Sequence, residues 1–230
     1  MTHPHTPTRY RFVAIFWLLL ICLVCSGCEA PGFLAYVIGG PPKTKKRYTL
    51  EKQTTLVIVD DPESLLGDQN NPTVVAANVG FHLTKNKVLL PDQIVSQDHL
   101  TVLATQMGDR FMATPIDQIG KRLKSDQVIH VQVRSVQLQG DNTYYEPSAE
   151  VEVKVINSLT GERLFPVNEK LTPGESHPGE IVLIEMERQR LDETRRHSLP
   201  MMKRALAERI GLEVAGLFYD HVAPEDEPKV

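Results

Sequence analysis

The stretch Val128–Leu138, VIHVQVRSVQL, decides the fold, because apolar and polar residues alternate along most of it. Ile129, Val131 and Val133 would share one face of a β-strand, and the residues between them would share the other face. From Val136 onward the apolar positions shift by one residue, which indicates a β-bulge. The sequence therefore predicts a long strand here, with one side on a hydrophobic core.

A second alternating stretch, VEVKV, follows at residues 151–155. The turn sequence Asn157–Gly161 connects it to a third short run at residues 163–167. Such alternation is typical of antiparallel strands that place one face on the core and the other in water. We therefore predict two linked hairpins, with His130 and Arg134 in the row of side chains that faces water.

Helical signals flank these strands on both sides. Asn71-Pro72 is typical of a helix start, with asparagine at the N-cap and proline at the first helical position. Thr114–Asp117 is a second such start. Apolar residues at spacings of three and four predict a buried stripe at Val75, Val79 and Leu83 after the first start, and a long helix over Ser198–Tyr219 with Ile210 in its buried stripe. Residues 181–186 are predicted to form a further strand. With a short buried strand at Leu56–Val59, the pattern predicts an α/β fold (an α+β sandwich). In it, a mixed sheet with antiparallel hairpins packs against helices, including a long C-terminal helix.

All the cysteines of the chain, Cys22, Cys25 and Cys28, lie in one tract with C-x-x-C-x-x-C spacing. An iron–sulfur cluster of this type needs a fourth thiolate, which the sequence lacks. A zinc ion would need a histidine or carboxylate to complete its shell, and the flanking residues are apolar. We therefore predict no metal centre and no redox pair in this tract, and no bound cofactor.

The residues around the cysteines are typical of an export signal. Arg9 and Arg11 precede the unbroken apolar run Phe12–Val24, and small residues follow it. The run is too short for a membrane-spanning helix, which needs about 20 apolar residues. Ser26-Gly27-Cys28 resembles the lipobox of bacterial lipoproteins, although Cys25 stands where leucine is usual.

This resemblance implies cleavage between Gly27 and Cys28, followed by acylation of Cys28 with palmitate or a similar fatty acid. Cys25 is a poorer acceptor because the bulky Val24 precedes it. An ordinary signal cleaved after Ala30 and an uncleaved anchor are the alternatives. The predicted organisation is a signal peptide (1–27), a lipidated tether (28–49), an α/β domain (50–221) and a disordered acidic tail (222–230).

Two further patterns carry a resemblance to a known family. Residues 116–133 combine a helix, Ser-Asp and an apolar strand, and residues 151–165 combine an alternating strand with Thr-Gly-Glu-x-Leu-Phe. Together with the closing helix at 206–221, they resemble a group of bacterial envelope lipoproteins. This group contains the curli-secretion lipoprotein family, the lipoproteins of the neisserial type and the N-terminal domain of the Tol-Pal translocation protein. The resemblance covers roughly residues 54–221 and implies a noncatalytic domain used in assembly or trafficking.

The predicted function follows from the anchor and this resemblance. We expect a lipoprotein of the bacterial cell envelope that faces the periplasm, is not an enzyme, and serves as an interaction or assembly module. Its expected partners are the membrane, through lipid on Cys28, and an envelope protein. With a net charge of −4, the chain is a poor candidate for binding nucleic acid. The alternative is an exported enzyme or small-ligand-binding protein.

Three other short stretches suggest chemistry at first sight. Asp60-Asp61 resembles the opening of a response-regulator receiver, but the aspartate that should follow a later apolar strand is missing, so we interpret the pair as turn-forming. Residues 174–179, GESHPG, resemble a nucleophile elbow with its second glycine one residue late, so we interpret them as a turn. Tyr144 and Tyr145, at a hairpin tip, are candidates for a partner contact, with packing on the sheet as the alternative.

Overall fold

The chain divides into two units, one formed by Met1–Thr44 with Val222–Val230 and the other by Lys45–His221. The predicted signal peptide, Cys28, the tether up to residue 42 and the tail from residue 223 lie outside the described residues. The computed structural model describes residues 43–68, 70–139, 144–167, 179–187, 189–190 and 199–222, without the side chains of residues 139, 144, 145, 189 and 190.

The described residues form the predicted α+β arrangement of a mixed sheet and helices. The strands are β1 (Lys43–Thr44), β2 (Thr55–Asp60), β3 (Gln127–Gln139), β4 (Tyr144–Asn157), β5 (Arg163–Phe165), β6 (Glu180–Glu185), β7 (Gln189–Arg190) and β8 (His221–Val222). The helices are α1 (Asn71–Lys85), α2 (Gln97–Met107), α3 (Ile116–Arg122) and α4 (Leu199–Gly216), with single 3₁₀ turns at Pro91–Gln93 and Gly108–Arg110.

The centre of the sheet is the long antiparallel pair β3–β4, and β2 lies parallel to β3 on its other side. The ladder between β3 and β4 shifts between Val133 and Ser135, and again between Gln137 and Gln139. The bulge predicted from the change of apolar parity is therefore confirmed. The turn after β4 uses the Asn157 side chain, whose Oδ1 accepts the Leu159 and Thr160 N–H groups at 2.8 and 3.1 Å.

Three short strands follow one another along the far edge of β4. Phe165 of β5 lies opposite Val155, and Glu180 of β6 lies opposite Val153, so β6 continues the row where β5 ends. β7 then pairs with the first residues of β4. The predicted hairpins and the strand predicted at residues 181–186 are confirmed.

Helix α1 confirms one prediction and corrects another. Asn70, not Asn71, is the N-cap residue, and it makes no side-chain cap hydrogen bond. Asn71 is buried, and its Nδ2 donates to the Leu66 carbonyl at 2.8 Å, so the preceding loop uses the side chain that was predicted to cap the helix. The predicted buried stripe is confirmed at Val75, Val79 and Leu83.

One side of the sheet, which we call the apolar face, packs against α1 and α4. Ile210 of α4 is fully buried in this core, as the sequence predicted. The helix ends at Gly216, three residues before the predicted Tyr219. Fully burying one such aliphatic side chain contributes about 1.5–3 kcal/mol. The apolar face consists of Val57, Ile129, Val131, Val133, Val151, Val153 and Val155.

The opposite side of the sheet is divided in two. Near β2, the side chains of Leu56, Ile58 and Val128 form a second small core with Ile119 of α3 and Val95. Farther along β3 and β4 the side chains are polar or charged. We call this region the polar face, and it consists of Asp60, His130, Gln132, Arg134, Glu152 and Lys154.

Candidate functional site

The strand register gathers the polar face from separate parts of the chain. In the antiparallel pair β3–β4, His130 lies opposite Lys154 and Gln132 lies opposite Glu152. In the parallel pair β2–β3, Asp60 lies opposite Gln132. Because directly opposed residues project from the same side of a sheet, these side chains form one cluster.

Glu152 is the centre of the polar face and is only 2 % exposed. Its Oε2 accepts the Arg134 Nε–H at 2.8 Å and a second bond from Nη2 of the same guanidinium. Its Oε1 lies 2.6 Å from the Lys154 Nζ and accepts the Gly179 backbone N–H at 2.7 Å. Both carboxylate oxygens are therefore occupied by donors, two of which are cationic.

These contacts decide the protonation state of Glu152. Burial by itself raises the pKa of this carboxyl, but the hydrogen bonds from Lys154, Arg134 and the Gly179 N–H outweigh it and bring the pKa to about 2. A general acid or base for work near neutral pH needs a pKa near 7. At neutral pH Glu152 is thus an anion, and its contacts connect neighbouring strands.

Gly179 approaches Glu152 too closely for any other residue. A Cβ added there would lie 2.6 Å from the Glu152 Cγ, 2.7 Å from the Val153 carbonyl oxygen and 2.9 Å from the Lys154 Cγ. Glycine is the residue that permits such a close approach of backbone to a neighbour. Through this contact the start of β6 is fixed to the charged centre of the sheet.

His130 lies beside this charged centre and is 7 % exposed. Burial lowers the pKa of its imidazole, and the nearby Lys154 and Arg134 act in the same direction. Asp60 and Glu152 oppose the effect without reversing it. At neutral pH His130 is therefore the uncharged form, packed among charged neighbours.

The prediction that this row faces water holds for Arg134, which is exposed, and is wrong for His130. His130 and its neighbour Glu152 are buried as completely as many core residues. The Glu152 carboxylate is surrounded by the Arg134 guanidinium, the Lys154 ammonium and the Gly179 backbone N–H. Sequence alternation identified which residues share the face but gave no sign of what covers it.

The lipidation and cleavage residues, Cys28 and Gly27, lie outside the described residues. Tyr144 and Tyr145 form the first residues of β4, where their backbones pair with Arg190 and Gln189 of β7. Their side chains are outside the description, so their role as a partner contact stays a prediction.

The acidic pair after β2 forms the predicted turn. The Asp61 carboxylate accepts hydrogen bonds from the N–H groups of Leu65 and Leu66 at 2.8 and 3.0 Å. These hydrogen bonds close the loop before α1. Of the stretch 174–179, Gly179 lies within the described residues, and the rest does not. In the part of the chain that the structure describes, no three His, Cys, Asp or Glu side chains are placed to hold a metal ion.

A groove of about 400 Å³ opens between α1 and the segment 91–97. The segment is held to the sheet edge by the Val95 N–H, which donates to the Thr55 carbonyl at 2.9 Å, and by Gln97 Nε2, which donates to the Val57 carbonyl at 3.0 Å. The groove is mostly apolar, and Phe81 at its rim is 58 % exposed. Its size suits a small molecule.

Comparison with known proteins gives similarities of fold. No protein-family model matches the chain. No curated protein matches it either. Among solved structures, lipoprotein GNA1162 from Neisseria meningitidis is 12 % identical, with 70 % of this chain and 99 % of that chain covered at a TM-score of 0.41.

Two other solved structures are similar to the same extent. The PelC dodecamer from Paraburkholderia phytofirmans is 10 % identical, covering 77 % of this chain and 96 % of that one at a TM-score of 0.37. Protein XCC0632 from Xanthomonas campestris is 8 % identical, covering 76 % and 90 % at a TM-score of 0.41. The finer resemblance to the curli-secretion and Tol-Pal group stays a prediction.

Proposed function

We propose that this protein is a lipid-anchored component of the bacterial cell envelope that faces the periplasm and acts as a noncatalytic interaction or assembly module. The observation that carries the proposal is Ser26-Gly27-Cys28 directly after the apolar run Phe12–Val24. Acyl chains on Cys28 would hold the chain at a membrane, because each buried CH₂ contributes about 0.8 kcal/mol and two or more chains give stable attachment.

The polar face supports the noncatalytic part of the proposal. A catalytic carboxylate needs an oxygen that can receive a substrate proton. Glu152 instead directs both oxygens to Arg134, Lys154 and the Gly179 N–H within the protein. The most perturbed carboxyl of the described chain is thus committed to holding strands together, and the protein would act by presenting a surface.

The anchor is tested by metabolic labelling with palmitate. The wild type and Cys25→Ala should incorporate label, whereas Cys28→Ala should not, because the acceptor sulfur is gone. Full labelling of Cys28→Ala would overturn the assignment. Full labelling of Cys28→Ala together with loss in Cys25→Ala would move the acceptor to Cys25.

The module is tested by chemical crosslinking in intact cells. The set of envelope proteins crosslinked to the wild type should differ from that crosslinked to Cys28→Ala, because anchoring determines which proteins the domain can meet. Identical sets would argue against a function that depends on the anchor. If Glu152→Gln restored the wild-type phenotype to a strain that lacks this protein, the result would agree with a structural role of the Glu152 carboxyl.

The groove beside α1 favours the second candidate, an exported small-ligand-binding protein. Its apolar lining and volume of about 400 Å³ fall in the range of small-molecule sites. Ala77→Trp would fill it from an exposed helix position without disturbing the core. Native mass spectrometry of the protein from cells should then show a bound molecule in the wild type and none in the variant. An unliganded wild type would count against this candidate.

A further inference from the structure

β6 lies at an edge of the sheet. On one side it pairs with β4 from Ser148 to Val153, and along its other side the described residues provide no backbone partner. Such an edge presents a row of free N–H and C=O groups, which is a template for pairing with another strand. Proteins usually block exposed edges with lysine, proline or a bulge. The sequence of β6, EIVLIE, contains neither lysine nor proline, and its ladder with β4 has no bulge.

The side chains of β6 also favour association. Val182 and Ile184 point to the apolar face, where Ile184 is 1 % exposed. Ile181 and Leu183 point to the opposite side, where they are 43 % and 70 % exposed. The edge thus carries two aliphatic side chains on the outer surface of one strand, next to backbone groups that have no partner among the described residues.

We propose that β6 pairs antiparallel with β6 of a second copy of this chain, about a two-fold axis at Val182. Directly opposed residues in an antiparallel pair share a face. The exposed aliphatic residues therefore match best when Ile181 of each copy lies opposite Leu183 of the other. This register joins two sheets into one continuous sheet and buries a row of four aliphatic side chains, two from each copy.

Charge complementarity supports the same register. It places Glu185 of one copy opposite Gly179 of the other, and Lys154 of β4 lies beyond Gly179 in the same row. Glu185 and Lys154 are on the same side of the sheet as Ile181 and Leu183. Because Gly179 has no side chain, nothing separates the exposed carboxylate of Glu185 from the Lys154 ammonium, whose strands would be about 10 Å apart. Lys154 has donors left beyond its bond to Glu152.

The neighbouring register is less favourable. With the axis at Leu183, each Ile181 would lie opposite Glu185 of the other copy, which places a carboxylate against an aliphatic side chain. The proposed register places Glu180 of one copy opposite Ile184 of the other on the apolar face, but this carboxylate is already neutralised by Arg47 of its own chain, whereas Glu185 has no such partner among the described residues. The self-pairing also needs no acyl chain, so its failure would leave the proposed anchor untouched.

The first experiment measures the mass of the full chain in detergent over a dilution series, by light scattering after size exclusion. The wild type should be a dimer that dissociates on dilution. Leu183→Lys places a charge in the aliphatic row and should weaken the dimer by about tenfold or more. Leu159→Lys is the matched control, since Leu159 is 68 % exposed in the turn after β4. Thermal melts should show that both variants fold.

A monomeric wild type at all concentrations would overturn the proposal. Equal dimerisation of Leu183→Lys and Leu159→Lys would overturn it as well, because the contact would then lie elsewhere. Glu185→Lys should weaken the dimer more than Glu185→Gln, since only the lysine variant sets two cations against each other across Gly179.

The register is tested by disulfide crosslinking of the full chain with Cys22, Cys25 and Cys28 replaced by serine. Val182→Cys should form a covalent dimer on oxidation, because directly opposed residues of an antiparallel pair have Cα atoms about 4.5–5.5 Å apart, within the Cα separation that a disulfide accepts. Leu183→Cys should crosslink poorly, since it faces Ile181. Efficient crosslinking of Leu183→Cys with none of Val182→Cys would overturn the proposed register.

Discussion

Both faces of the central sheet contain buried residues, yet the two faces are stabilised by different forces. The apolar face packs aliphatic side chains against α1 and α4, and its many contacts are non-directional. The polar face buries Glu152 among Arg134, Lys154 and the Gly179 N–H, and each contact is directional. The first arrangement gains free energy from removing apolar surface from water. The second must first offset the cost of removing charges from water.

The comparison shows that one alternating pattern can specify both kinds of burial. On β4, Val151, Val153 and Val155 alternate with Glu152 and Lys154, and the two sets are buried to opposite sides. The three valines could be buried in many different arrangements of the neighbouring side chains. The charged set is stable only while every partner is present, because a half-satisfied cluster costs more than an apolar one.

The largest effect should come from placing a charge in the apolar core. Ile210→Asp should reduce the free energy of unfolding by about 4 kcal/mol or more, because the carboxylate would be buried with no partner. Ile210→Val is the control and should cost about 0.5–1.5 kcal/mol. Urea denaturation followed by circular dichroism measures both. An unchanged midpoint for Ile210→Asp would mean that α4 does not cover the apolar face.

Removing the anion from the polar face should have the next largest effect. Glu152→Ala should cost about 3 kcal/mol, because it removes the charged acceptor of the partly exposed Arg134 and Lys154 and leaves the buried Gly179 N–H without a partner. Replacing the three charged residues together, by Arg134→Met, Glu152→Leu and Lys154→Met, should recover most of this loss. If the triple variant were less stable than Glu152→Ala, the charged cluster would be more favourable than its apolar replacement.

The third prediction concerns stability in acid. The pKa of Glu152 is lowered by folding from 4.5 to about 2, so its contribution is present above pH 4.5 and is lost as the pH falls toward 2. The wild type should lose about 3 kcal/mol relative to Glu152→Gln across this window. The lowered pKa of His130 reduces the stability of both proteins as the pH falls below about 6.5, and the difference between the two curves keeps only the part of this effect that depends on the Glu152 charge. Parallel curves from pH 5 to pH 2 would contradict the assignment.

The smallest effects should distinguish Gly179, which contacts the polar face, from Gly80 of α1, the helix that packs on the apolar face. Gly179→Ala should cost about 1–3 kcal/mol, since its Cβ would overlap Glu152 and the backbone at Val153. Gly80→Ala in α1 meets only the Ile94 Cγ2, at 3.3 Å, and alanine is the better helix former. It should stay within about 1 kcal/mol of the wild type by thermal denaturation. Equal losses at both sites would mean that the tight contact at Gly179 is relieved by movement of β6.

The sequence predicted the strands and helices better than it predicted which side chains are buried between them. Local alternation identified β3, β4, the bulge near Val133 and the stripe on α1, because each depends on neighbours within a few residues. The burial of Glu152 depends on Arg134 and Gly179, which lie on other strands. The sequence shows that Glu152 and Lys154 carry opposite charges two residues apart. Only the strand register shows that Arg134 also lies beside Glu152.

The N-cap of α1 shows the same limit on a smaller scale. Asn71 has the residue type of a cap, yet its side chain bonds backward to Leu66 because the loop before the helix folds under it. Local preference named the right helix and misplaced its boundary by one residue, since a tertiary contact competed for the same amide.

The junction between β5 and β6 has a practical consequence for engineering. Both strands occupy one edge of β4, and their ends are fixed opposite Val155 and Val153, whatever the length of chain that joins them. A tag, a reporter or a second domain inserted between Val167 and Gly179, with Gly179 itself kept, should therefore leave the ladder on either side in place.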